Sequence, residues 1–262
     1  MHNTAPAEHA DVDLVEFTLK CARLILQLLH SLKRVGELSD PAVDEFPETL
    51  HRRAALLQKI SRALLSHLQV SIETRGVIPT RGLLVSNHVS FVDIMLLSAL
   101  NPLIFVSKSE VAAWPVVGPI ASKSGTLFIR RDKRSDVSRI NEALTRAFDA
   151  DVLVCLFPEG TSSDGTTVLP FQPSLLQPAV TAKLPVCAAH LSYQTADGAR
   201  ADDIAYFGDR NLMDCMRALI RRKKTIAKVN FGSSTTVETD RKELAARLHA
   251  EVCRLGAASP PA

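Results

Sequence analysis

Aromatic side chains make up only 5% of this 262-residue chain, and its formal net charge is only +3. The first scarcity leaves no platform on which bases would stack, and the second leaves no field to hold a polyanion, so no nucleic acid is expected as a partner. Cysteines are few and irregular: Cys21, Cys155, Cys187, Cys215 and Cys253 are scattered, with no C-x-x-C pair. An odd, unpaired set excludes a disulfide framework and reads as free thiols in a reducing compartment. No spacing of His, Cys and carboxylates stands out as a metal site. Long apolar runs are missing too; none reaches the roughly 18 residues of a spanning helix. The first ten residues, which include His2, Glu8 and His9, lack the basic segment and apolar run of a secretory leader. These absences point to the cytoplasm and to a protein that does not cross the bilayer.

What is present, 46% hydrophobic and 23% charged residues, is ordinary for a globular protein with one substantial core. After Thr74-Arg75-Gly76, short apolar runs alternate with helical patterns. Strands are expected at 82–86, 103–106, 126–129, 152–157, 186–191 and 225–231, and helices at 93–100, 135–150, 173–182, 211–220 and 241–255. That alternation predicts an α/β fold, a largely parallel central sheet flanked by helices. An N-terminal two-helix element precedes it. The expected division is 1–76 for the helical element, 77–256 for the α/β domain and 257–262 for a frayed Ala/Pro/Ser-rich tail.

Between Asp13 and Arg34, polar residues recur every three or four positions and leave Leu14, Val15, Leu19, Ile25, Leu26, Leu29 and others on a broad apolar face. Such a helix either packs into protein or lies in a membrane interface. A second pattern, carrying Leu50, Leu56, Leu57, Ile60, Leu64 and Leu68, is a candidate to pair with it. The basic run Arg217, Arg221, Arg222, Lys223 and Lys224 offers contact with anionic lipid or with an acidic acyl carrier.

The most informative stretch is Asn87-His88-Val89-Ser90-Phe91-Val92-Asp93, directly after the apolar run Leu83-Leu84-Val85. Five residues on one regular helix would put an imidazole and a carboxylate on different faces. Ser90-x-x-Asp93 has the form of a capping box, which would leave His88 in the loop after a strand and Asp93 in the first turn of a helix. The carboxylate can then reach back to the ring, fix its tautomer and leave the other nitrogen free to take a proton. Cap and histidine compete for that carboxylate, and the histidine is expected to win.

Two further strand-like runs end in polar chemistry: Gly125-Thr126-Leu127-Phe128-Ile129-Arg130-Arg131, and Val152–Leu156 followed by Phe157-Pro158-Glu159-Gly160-Thr161-Ser162-Ser163. Together with N-H-x4-D, and with Leu184-Pro185-Val186 as a weaker fourth block, these stretches resemble the glycerolipid acyltransferase family, typified by the 1-acylglycerol-3-phosphate acyltransferases. The resemblance covers about residues 80–235. One departure stands out: many members that use phosphate-bearing acceptors carry Arg where this chain has Ser162, and Ser162-Ser163-Asp164-Gly165 is more similar to the branch of lyso-ornithine lipid acyltransferases.

The resemblance implies transfer of a fatty acyl group from acyl-CoA or acyl carrier protein to a lysolipid hydroxyl, at a membrane surface and without a cofactor. It implies His88 as general base oriented by Asp93, with Arg131, Glu159, Gly160 and Thr161 binding the acceptor and Lys108 as a further substrate-binding candidate. Backbone N–H groups around Gly160-Thr161 are candidates for stabilising the oxyanion. Two rivals remain. Gly160-Thr161-Ser162-Ser163-Asp164 nearly forms a nucleophile elbow, which would make the protein a serine hydrolase using Ser162 or Ser163 with His88, although the residue order is wrong for that class. The other rival is an inactive lipid-binding relative.

Overall fold

The computed structural model describes residues 11–38, 47–130, 134–236 and 240–257. Its strands are β1 (Val70–Arg75), β2 (Leu83–Ser86), β3 (Leu103–Lys108), β4 (Leu127–Ile129), β5 (Leu153–Leu156), β6 (Pro185–Thr195), β7 (Thr225–Phe231) and β8 (Thr235–Thr236). The helices are α1 (Leu14–Gly36), α2 (Pro47–His67), α3 (Val92–Leu100), α4 (Val117–Lys123), α5 (Arg134–Asp149), α6 (Gln177–Thr181), α7 (Leu212–Arg221) and α8 (Arg241–Ala257).

One mixed sheet runs in the order β1-β7-β6-β2-β5-β3-β4, and β8 also pairs with β6. The segment β6-β2-β5-β3-β4 is parallel throughout, with Leu83 opposite Val186 and Val154, Leu103 opposite Leu153, and Lys108 opposite Ile129. β7 and β8 pair antiparallel with β6, and β1 runs with β7. The carboxyl ends of β2, β3, β4 and β5 therefore emerge along one edge, where open parallel sheets bind ligands.

Both faces of the sheet are covered, which is why β2 and β5 are buried at every position. Alternate residues serve opposite faces. Leu84, Cys155, Leu191 and Tyr193 join a cluster with α2 and α3, while Leu83, Val85, Val154 and Leu156 join one with α5 and α8.

The two N-terminal helices differ from a simple mutual pair. α2 buries Ala54, Leu57, Ile60, Leu64 and Leu65 in the core. α1, capped by Asp13 through the Glu16 amide, crosses α2, α4 and α7 with Leu14, Val15, Leu19, Ile25, Leu26 and Leu29 pointing outward. Its inner face carries buried Lys20 and Ser31 beside Leu24 and Val35.

Three elements depart from expectation. β1 lies on the N-terminal side of the boundary expected at 76 and is nevertheless a sheet strand, parallel to β7. It is an edge strand whose half-exposed Val-Ser-Ile-Glu-Thr-Arg pattern carries little apolar signal. At Gly76, φ is +84° and an added Cβ would meet the Phe231 carbonyl oxygen at 2.3 Å, so the turn off this strand requires glycine. β6 runs past the expected Leu191 to Thr195, because its last residues pair with β7. Of the expected frayed tail, Ala257 still belongs to α8 and the rest lies outside the described residues.

Candidate active site

The site begins where β2 stops. Asn87 replaces the next rung of the ladder with its side chain: Nδ2 donates to the Leu191 carbonyl at 3.0 Å, and Oδ1 accepts from the Leu191 amide at 2.7 Å. The backbone is thereby tied to β6 while it turns outward at His88. The segment after β5 grips His88 from the other side: Glu159 Oε1 accepts its amide at 2.7 Å, and the Ser163 amide donates to its carbonyl at 2.9 Å.

Asp93, in the first turn of α3, is fully buried. Its Oδ2 accepts from His88 Nδ1 at 2.7 Å, from the Val89 amide at 2.7 Å and from the Ser90 amide at 2.9 Å. Cap and histidine thus share one oxygen instead of competing, because the tight turn brings all these donors to the same point. Oδ1 accepts from the Tyr193 hydroxyl at 2.5 Å. A carboxylate can only accept, so Nδ1 carries the proton and Nε2 presents its lone pair. The ring stacks on Phe157 with centroids 4.1 Å apart and planes 14° from parallel, and Phe157 lies along Phe105 at 5.9 Å. His88 keeps 21% of its side chain exposed above this apolar floor, so the free nitrogen remains reachable.

The expected substrate residues are disposed differently from one another. Glu159 is buried, and both carboxylate oxygens are spent on backbone amides, Oε1 on His88 and Oε2 on Leu169 at 2.9 Å. Burial pushes its carboxyl above the ordinary range, while those two bonds and the nearby His88 pull it back. The Gly160 amide closes a turn onto the Phe157 carbonyl at 3.0 Å, with φ of +77° at Gly160. Thr161 is exposed at the rim of this turn. Lys108 is exposed at the carboxyl end of β3, in register with Ile129 of β4. Arg131 lies outside the described residues.

Neither serine of the rival elbow faces the imidazole. Ser162 Oγ donates to the Tyr206 carbonyl, and Ser163 Oγ is 3.4 Å from the His88 carbonyl while accepting from the Gly165 amide. Among the described residues no group of His, Cys, Asp and Glu is arranged to hold a metal ion. Cys155, beneath Asp93, is held as a neutral thiol by burial and then by the carboxylate's charge.

Sequence reasoning missed Tyr193 and the stacking face of Phe157. A buried tyrosine signals that its hydroxyl needs a partner, but which partner depends on how β6 packs against α3, 100 residues away in sequence.

Comparison with known proteins bears on this arrangement. A family profile described as Acyltransferase matches residues 69–192. The 1-acyl-sn-glycerol-3-phosphate acyltransferase of Neisseria meningitidis serogroup B is 34% identical over 71% of this chain and 72% of its own length. The lyso-ornithine lipid O-acyltransferase of Pseudomonas aeruginosa is 36% identical over 64% of this chain and 67% of its own. In fold, the crystal structure of the 1-acyl-sn-glycerophosphate acyltransferase PlsC from Thermotoga maritima matches over 94% of both chains, with a TM-score of 0.63 at 17% identity.

Proposed function

Because this chain belongs to the acyltransferase family, we propose that it moves a fatty acyl group from an acyl thioester, acyl-CoA or acyl carrier protein, to a lysolipid hydroxyl, with His88 as base and Asp93 orienting it. The observation that carries this reading is the 2.7 Å bond from His88 Nδ1 to a fully buried Asp93, with the opposite ring nitrogen left open at the sheet's carboxyl edge.

In the reaction, Nε2 takes the proton of the acceptor hydroxyl as its oxygen attacks the thioester carbonyl. The tetrahedral oxyanion collapses, the C–S bond breaks, and the departing thiolate takes the proton back from the imidazolium to leave as a thiol. No acyl-enzyme forms. A positioned base of this kind contributes about 10²–10⁴-fold in rate. Since the Gly160 amide is committed to its turn, the Thr161 amide is the better oxyanion donor. Lys108, the last residue of β3, and Arg131, two positions after Ile129 in the sequence, take anionic groups of the substrates.

The acceptor is either 1-acylglycerol-3-phosphate or a lyso-ornithine lipid, and Ser162 favours the second. At a position where many phosphate-using members carry Arg, this chain has a neutral hydroxyl already committed to the Tyr206 carbonyl. The test is transfer by the purified protein from labelled acyl-CoA and acyl carrier protein to lysophosphatidic acid and lyso-ornithine lipid, with His88→Ala as control. Transfer lost in the variant sustains the mechanism and names the acceptor; transfer retained overturns it.

The same reading sets the protein on a membrane surface, at the cytoplasmic face. No described helix is long and apolar enough to cross a membrane. The outward row Leu14, Val15, Leu19, Ile25, Leu26 and Leu29 supports an interfacial helix. The Val12 amide donates to the Arg221 carbonyl at 2.7 Å, which brings the start of α1 beside exposed Arg221, Lys223 and Lys224. Arg222 is turned inward and pairs with Asp203, so the basic run contributes fewer exposed cations than its sequence suggests.

A further inference from the structure

We propose that Tyr193 is a positioning residue for acyl transfer, holding Asp93 Oδ1 so that Oδ2 keeps its angle to His88; this rests on His88 acting as the base. The carboxylate has no contact with solvent, and its Oδ2 already receives three donors. Two of them, the Val89 and Ser90 amides, belong to the same loop as His88 and move with it. They set the carboxylate within the loop, which Asn87 ties to β6 only at its start. Tyr193 is different in origin: it stands on β6, opposite Ala227 of β7, and points into the core cluster shared with α3. Its hydroxyl, 2.5 Å from Oδ1, is the only described donor to Asp93 that comes from outside the turn. Without it, Oδ1 would be an anionic oxygen buried with no partner, which the carboxyl group would relieve by rotating and sharing Oδ2's donors.

The groups facing this carboxylate are few. From β5 comes Cys155; from the loop after β5, Glu159, which reaches His88 through its amide; from β6, Tyr193 itself. Burial and then the Asp93 charge push the Tyr193 phenol and the Cys155 thiol upward, so both stay neutral and Tyr193 remains a donor. The phenol also competes with the imidazole for the carboxylate's charge. Weakening the phenol's share strengthens the pairing of Asp93 with a protonated ring, and so the base is lost to protonation at a higher pH.

Tyr193→Phe removes the hydroxyl and keeps the ring. Expected are a fall in kcat of about tenfold, KM values for donor and acceptor within about twofold of the parent, and an acid limb of kcat/KM displaced upward by about half a pH unit. A parent-like kcat, a change confined to KM, or a fall in kcat with an unmoved acid limb overturns the proposal, the last because a merely structural tyrosine would lower activity at every pH alike. Should Tyr193→Phe fail to fold, Tyr193→3-fluorotyrosine supplies the reverse test: a more acidic phenol takes more of the charge and must move the acid limb downward, and an unmoved limb refutes the idea. Run beside these, His88→Ala separates the two levels. Full transfer by that variant defeats the base assignment itself, whatever Tyr193 does.

Discussion

The loop around His88 and the outer face of α1 treat water in opposite ways. In the loop, buried polar groups are matched by partners, several of them from another element: Asn87 with β6, Asp93 with β6 and its own turn, Glu159 with the amides of His88 and Leu169. On α1, Leu14 is 79% and Leu26 67% exposed, while Lys20 and Ser31 face inward, Lys20 donating to the Arg222 carbonyl at 2.6 Å and Ser31 to the Gln27 carbonyl at 2.7 Å. Directional bonds define positions, so the first region can hold an imidazole within the tolerance that proton transfer needs. Apolar exposure defines no position at all. It marks a surface whose favourable surroundings are not water.

The sharpest break in this contrast is made at the imidazole. His88→Ala should lower kcat by about 10²–10⁴-fold with the fold preserved, measured as acyl transfer beside a circular dichroism melt. Next comes Glu159→Ala, which strips the acceptor from two part-buried amides at about 1–3 kcal/mol each at most. A lower melting temperature and lower kcat are expected, with the acceptor's KM unchanged. If KM rises while the melt stays put, Glu159 is a head-group ligand instead of a brace. Its pH dependence checks the same point. A carboxyl raised by burial gives its stabilisation below the ordinary carboxylate range and loses it as pH rises through the raised value. The stability difference between the parent and Glu159→Gln should therefore shrink as pH rises from below the ordinary carboxylate range. Asn87→Ala is smaller again. It frees the Leu191 amide and carbonyl at about 1–3 kcal/mol in all, read as a lower denaturation midpoint.

How far these regions were legible in the sequence follows from the same contrast. His88 and Asp93 could be paired from sequence because a capping signal and a preceding strand constrain them locally. The parallel sheet was legible because β2 and β5, covered on both faces, must be continuously apolar. β1 was not, since an edge strand with Glu73 and Arg75 exposed carries neither a continuous nor a cleanly alternating pattern. The resemblance implies Glu159 as an acceptor ligand; the fold adds that its carboxylate receives the amides of His88 and Leu169, 71 and 10 residues away. Tyr193 needed the pairing of β6 with β7 to extend the strand past Leu191.

The smallest expected effect on stability tests the other half of the contrast. Leu19 and Leu26 stand two helical turns apart on the outward face of α1. Replacing both by Glu reaches no core residue and changes helix propensity little, Leu19 being half exposed and Leu26 more so, so the stability should shift by no more than about 0.5 kcal/mol per site. On liposomes containing anionic lipid the same change should abolish flotation, because each lost leucine forfeits about 1.5–3 kcal/mol of apolar burial and each new carboxylate is repelled by the surface. Unchanged flotation would remove α1 from the membrane contact. A large loss of stability in solution would mean that these leucines are already covered there, by a second copy of the chain, and a concentration-dependent mass on sedimentation would identify it. A variant that folds, transfers acyl groups to detergent-dispersed lysolipid and no longer floats would show that the loop's buried polar bonds and the helix's exposed apolar row are separable, one serving the chemistry and the other the place where it happens.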